Sequence, residues 1–206
     1  MSSVLKNPVS RSVGRPREFD EGEVLDSAMG VFWRQGYEST SLADLLAATG
    51  LHKGSLYQAF GDKRSLFIMA LQRYVDGMRS DMGQVMAEAE SGLQGLRNAL
   101  YKTIEMSCDC DHGNPGCLAL NTLVEKGIED EEILAVLNGA YAGRMGLITQ
   151  TVARAQDEGS IRKDWSADRI ANMISIVAAG IAVSLKGPMD EQGSRTLIDD
   201  LLATLA

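Results

Sequence analysis

Residues 40–60, TSLADLLAATGLHKGSLYQAF, constrain this chain more than any other stretch. They read as a short helix, a tight turn and a second short helix. Thr40 or Ser41 supplies a side-chain oxygen to cap the first helix. Leu42, Leu45 and Leu46 give it one apolar face. Gly50 sits where a left-handed residue ends a helix without a Cβ penalty. Leu51, Leu56 and Phe60 then anchor the second helix from below. Its other face carries His52, Lys53, Ser55, Tyr57 and Gln58, all hydrogen-bond donors. A polar, partly cationic helix held rigidly by a partner helix is what major-groove reading requires. Two amphipathic helices joined at a glycine also occur in helical proteins that bind no DNA, so this spacing alone leaves both readings open.

The flanks extend the pattern. Asp20 and Glu23 have capping-box spacing, and Phe19 can staple onto Val24. Val24, Ala28, Val31 and Phe32 recur at helical spacing until Gly36. This first helix covers the apolar undersides of the next two. Asp62 opens a long helix, running to about Met86, with Leu66, Phe67, Ala70, Leu71 and Tyr74 on one side. Lys63 lies in its first turn, where an ammonium and the helix N-terminus together suit a phosphate. No proline or flexible linker interrupts the helix, so it connects this head stiffly to the second half of the chain.

Thr40-Ser41-Leu42, Thr49-Gly50-Leu51, Ser55-Leu56-Tyr57, Phe60, and Gly61-Asp62-Lys63 with Leu66-Phe67 resemble the TetR family of bacterial transcription regulators. The resemblance runs from about Arg17 to about Tyr74. It departs from the family at Leu46, where a small Ala is usual, and at His52, where Ser or Thr is usual. It implies an all-α protein in which an N-terminal three-helix, helix-turn-helix DNA-binding domain (18–78) joins a larger helical effector-binding and dimerisation domain (79–206). It further implies a homodimer formed through a four-helix bundle, acting on a palindromic double-stranded DNA operator. Repression relieved by a small-molecule effector is the family's usual mode. The expected DNA contacts are Arg15, Arg17, Thr40, Ser41, His52, Lys53, Gly54, Ser55, Tyr57, Gln58 and Lys63.

Charge is spread unevenly. Residues 1–80 hold ten basic and nine acidic side chains, whereas residues 81–206 hold ten and nineteen; the whole chain carries −8. An acidic protein is a poor DNA ligand overall. Residues 1–17, however, contain Lys6, Arg11, Arg15 and Arg17 and no acid, a basic arm able to follow a phosphate backbone or enter a minor groove. A solvated tail is the plainer reading, and the two are compatible before DNA is bound. Hydrophobic content of 45% with 23% charged residues is ordinary for a globular protein. No run reaches the ~18 unbroken apolar residues of a membrane span. The start, MSSVLKNPVS, lacks the apolar core of a secretory signal. Three cysteines cannot all pair within the chain, which fits a reducing cytoplasm, and without an apolar run of membrane length no membrane association is expected.

The second half reads as helices near 93–107, 116–127, 131–157, 166–186 and 192–205. Residues 173–183 form a nearly all-round apolar helix, which must be buried on several sides. Ile174, Val177, Ala178 and Ile181, with Leu197 and Leu201 of the last helix, are therefore expected at a dimer seam. A monomeric core is the alternative. Cys108, Cys110 and His112, with Cys117 five residues on, carry the remaining chemistry. One residue between the first two cysteines is tighter than the spacing of structural zinc sites. Structural cysteines, a thiol switch and a soft-metal site all remain open, and with them a thiol- or metal-responsive regulator. A Cys/His enzyme would leave the basic arm and the helix-turn-helix unexplained. No phosphate loop, paired-carboxylate site or nucleophile elbow is present in the sequence, so no enzyme activity and no required cofactor are expected.

Overall fold

A computed structural model describes residues 19–108, 115–126 and 129–206. Among these residues the chain forms nine α-helices: α1 (Glu21–Gln35), α2 (Leu42–Thr49), α3 (Lys53–Phe60), α4 (Lys63–Glu88), α5 (Gly92–Ser107), α6 (Leu118–Lys126), α7 (Glu131–Asp157), α8 (Ala167–Ser184) and α9 (Glu191–Leu205). The five helices expected in the second half lie within two residues of their expected limits, and side-chain caps mark the starts of all of them except α6. Asp20, Ser41, Asp62, Ser91, Asp130, Ser166 and Asp190 each accept a first-turn N–H through the side chain. Each such cap contributes on the order of 1 kcal/mol. At α2 the cap is Ser41, in a reciprocal box with Asp44, and Gly50 closes the helix at φ 67°.

Among the described residues two apolar clusters form the core. The first packs Phe32, Leu45, Leu56, Leu66, Phe67 and Leu71 between α1, α2, α3 and the start of α4. Phe67 meets Phe32 edge-on, with ring centroids 4.9 Å apart. Cys117 and Leu118 at the start of α6, and Ile133 and Leu137 of α7, join the same cluster. The second cluster gathers Met82 and Met86 of α4 with Leu96, Ile104, Ile148, Val152, Ile170, Ile174 and Ile198. Met78 touches both. The start of α5 lies hard against α7: a Cβ on Gly92 would stand 2.5 Å from the Ala155 nitrogen.

The expected dimer seam needs correcting. Ile174, Ala178 and Ile181 are 2%, 5% and 2% exposed, packed into the protomer's own core. The helical repeat places residues 174, 178, 181 and 185 on one face of α8 and residues 172, 176, 180 and 183 on the other. The outward apolar side chains are Ile176 and Val183 of α8, 73% and 59% exposed, with Leu197 of α9. Val177 and Leu201 are half-buried beside the core. By length and composition alone α8 could cross a membrane, but its inner face is occupied by this core.

Candidate nucleic-acid interface

Leu56 and Phe60 pin α3 to the first cluster at 1% and 3% exposure. The side chains at the remaining positions must therefore point outward or sideways. Lys53, Gly54, Tyr57 and Gln58 are exposed and Ser55 is half-buried. The Lys53 ammonium lies 5.5 Å from the Tyr57 ring centroid. A Cβ built on Gly54 would meet nothing within 4 Å, so the fold does not demand glycine there. Gly54 instead leaves the outer surface of α3 low, allowing close approach. His52 occupies the N-cap position but makes no side-chain cap. The first amides of α3 are thus open at an exposed, positively polarised helix end, an arrangement suited to a phosphate oxygen.

Ser41 is exposed; its hydroxyl donates to Asp44 Oδ2 at 2.7 Å and accepts from the Asp44 N–H at 3.2 Å. Thr40 needs correction as a DNA contact. It is 1% exposed, and its hydroxyl donates to the Gly36 carbonyl at 2.6 Å, fastening the end of α1 to the start of α2. Its apolar methyl group favours the buried position, leaving Ser41 as the outward hydroxyl. Lys63 opens α4, half-buried, with its ammonium 4.5 Å from the Tyr37 ring centroid and 3.4 Å from the Glu38 carbonyl oxygen. Arg15 and Arg17 lie outside the described residues, as do Cys110 and His112.

The head is tied to the C-terminal domain by contacts that the sequence does not announce. Arg64 of α4 forms a two-pronged pair with Asp130, both bonds 2.7 Å, and also reaches Glu132 at 2.9 Å. The guanidinium, aided by the Ile133 and Glu132 amides, holds the Asp130 carboxyl down at about 2. Glu125 of α6 accepts from the backbone amides of Tyr37 and Glu38 at 3.0 and 2.8 Å. Lys126 pairs with Glu38 and holds that carboxyl below its ordinary range. Trp33 donates its indole N–H to the Gly116 carbonyl at 2.9 Å. These ties bridge the α1–α2 connection and the start of α4 to α6 and the start of α7. A signal existed only for Asp130, as a helix cap.

An apolar pocket has an inner part between α4, α5, α7 and α8 and an outer part between α4, α6 and α7, and the two share Met78, Met82, Cys117, Leu120 and Arg144. Cys117 is 8% exposed and lines both parts; the Tyr74 hydroxyl donates to its sulfur at 3.5 Å. Burial pushes the Tyr74 phenol well up, so it stays a neutral donor. Cys108 ends α5 half-buried. Among the described residues no group of three or more His, Cys, Asp or Glu side chains is placed to hold a metal ion. Arg144 escaped sequence reasoning, although it interrupts the apolar stripe Leu137, Ala140, Tyr141, Leu147 and Ile148 of α7. A charge inside an apolar stripe was the available signal.

Known proteins share this architecture. Residues 24–70 match the profile of bacterial regulatory proteins of the tetR family, and residues 92–197 match the tetracyclin repressor-like C-terminal domain. The HTH-type transcriptional repressor ComR of Escherichia coli is 31% identical over 180 residues, covering 86% of this chain and 85% of that protein. The HTH-type regulator YezE of Bacillus subtilis is 29% identical, covering 72% and 76% of the two chains. A cysteine mutant of the TetR family regulator CifR, solved with 26-bp double-strand operator DNA, superposes with a TM-score of 0.80. It is 28% identical and covers 92% of this chain and 98% of its own. A head that exposes α3, a helical body built around α4 and profile matches to both parts lead to one conclusion: this chain belongs to the TetR family of bacterial transcriptional regulators.

Proposed function

We propose that the protein is a homodimeric transcriptional repressor that occupies a palindromic DNA operator and leaves it when a small molecule enters the C-terminal domain. The exposed face of α3 carries the reading: Lys53, Ser55, Tyr57 and Gln58 stand on a helix fixed from beneath by Leu56 and Phe60, next to Lys63. Relatives named as repressors, and a 28%-identical regulator solved on operator DNA, support it. A dimer sets two α3 helices about one DNA turn apart, which makes the operator a palindrome. The chain works in the cytoplasm, without catalytic activity and without a required cofactor.

Release needs an effector that binds the two conformations unequally. Tyr74, Met78, Met82 and Met86 line the pocket and belong to α4, the helix that starts at Lys63. A molecule that moves α4 therefore moves the head. The test is selection of bound duplexes from a random pool by the purified protein. Enrichment of a palindrome with half-sites about one turn apart is expected; a pool with no enriched sequence sinks the reading.

The narrower alternative, a thiol-responsive regulator, draws on the place of Cys117 in the pocket wall. Operator binding before and after mild oxidant, in wild type and in a triple Cys→Ser variant, separates the two. Equal responses leave an ordinary ligand pocket.

A further inference from the structure

We infer that the pocket of the C-terminal domain takes a compact, mostly apolar molecule bearing one carboxylate, with Arg144 as its counter-ion. The inference rests on the effector reading above and names the chemistry of that effector.

Arg144 reaches from the middle of α7 into a wall made chiefly of Met78, Met82, Leu120 and Ile148. One terminal guanidinium nitrogen donates to Ser175 Oγ at 3.0 Å. The buried Nε–H has no hydrogen-bond partner. Among the described residues this guanidinium forms no ion pair with a carboxylate; the Tyr141 ring lies 5.8 Å away, and the Tyr74 phenol is close enough to feel its charge. A guanidinium keeps its charge at any physiological pH, and a buried donor without a partner is costly. A carboxylate offers two oxygens at the spacing that Nε and a terminal nitrogen accept side by side. An ammonium head would instead meet like charge in an apolar wall.

The size of the space limits the rest of the molecule. The inner part of the pocket has a cavity of about 20 Å³ and the outer part about 100 Å³. The inner part holds little more than one water. A ligand must therefore displace side chains, and the thioethers of Met78, Met82 and Met86 are the ones that yield with least strain. All three lie on α4, so filling the pocket presses on the helix that carries Lys63.

Three matched probes test the inference on the full chain: octanoate, 1-octanol and octylamine, each titrated calorimetrically. Wild type is expected to bind octanoate at least about tenfold more tightly than 1-octanol, with no saturable uptake of octylamine. Arg144→Met should bring octanoate and 1-octanol to within about twofold of each other. Arg144→Lys, which keeps a point charge but loses the fork, should retain part of the preference. Should Arg144→Met fail to fold, the wild-type ranking and Arg144→Lys still decide. Equal binding of octanoate and octanol by wild type, preference for the amine, or no saturable binding of any probe overturns the inference. Ligand-free wild type is assayed on its selected DNA in parallel. Loss of DNA binding there refutes the regulator reading, whereas intact DNA binding without carboxylate preference refutes the ligand class alone.

Discussion

Arg64 and Asp130, 66 residues apart, grip each other with two 2.7 Å hydrogen bonds and so lock the first turn of α4 to the cap of α7. Asp130 does two jobs at once: it caps α7 through the Glu132 and Ile133 amides and holds the DNA-binding head through Arg64. Arg64 is 41% exposed and the Asp130 side chain 19%. Solvent screening at that exposure makes the pair more important for orientation than for bulk stability.

This pair sets a pH dependence. The Asp130 carboxyl has an ordinary value of 3.8 and a folded value of about 2. A depressed folded value adds stability that is fully present above 3.8 and is lost as pH falls through about 2. Wild type should therefore lose thermal stability between about pH 4 and pH 2, and Asp130→Asn should lose less over that window. Melting temperatures of both proteins across the range check this; parallel curves refute it.

Lys63→Ala should weaken binding to operator and to unrelated duplex alike and lower the salt slope by about one. Thr40→Val is the internal control. Its buried hydroxyl serves Gly36, so its loss should lower stability by about 1 kcal/mol and leave the salt slope unchanged. Anisotropy titrations over a series of salt concentrations distinguish the two. A slope that moves with Thr40 and not with Lys63 would reverse the assignment.

Gly54→Ala separates folding from recognition. The added Cβ meets nothing within the protein, and alanine favours a helix by up to about 1 kcal/mol over glycine. The variant should melt at or above the wild-type temperature yet bind operator more weakly, because the methyl group stands where DNA approaches α3. Unchanged operator affinity would place the DNA elsewhere.

Assembly is probed with a pair of substitutions on α8. Ile176 is 73% exposed and Ile181 2%. Ile176→Asp should give a folded monomer in sedimentation with full helical circular dichroism. Ile181→Asp should cost several kcal/mol and lose the fold itself, since an unpaired carboxylate enters the core. A dimer that survives Ile176→Asp moves the seam away from this face.

The sequence by itself determined the helices, the caps at Asp20 and Asp62, the turn at Gly50 and the head that exposes α3. These arise from interactions between residues at most a turn or so apart: Asp20 with the Glu23 amide, Ser41 with Asp44, Leu42 with Leu45 and Leu46. Such contacts form whatever the rest of the chain does, so they can be read locally. The tertiary structure alone decided which hydroxyl is buried at Thr40–Ser41 and which face of α8 turns inward. Residues 173–183 are apolar almost all round, so their periodicity does not choose between a core and a partner; the packing of α5 and α7 against Ile174, Ala178 and Ile181 does. The tertiary structure also decided that Arg64 meets Asp130, that Glu125 takes the amides of Tyr37 and Glu38, and that the Arg144 Nε–H is left buried without a partner. These relationships join residues far apart in the chain, and they are fixed only when the helices have packed and water has been excluded between them.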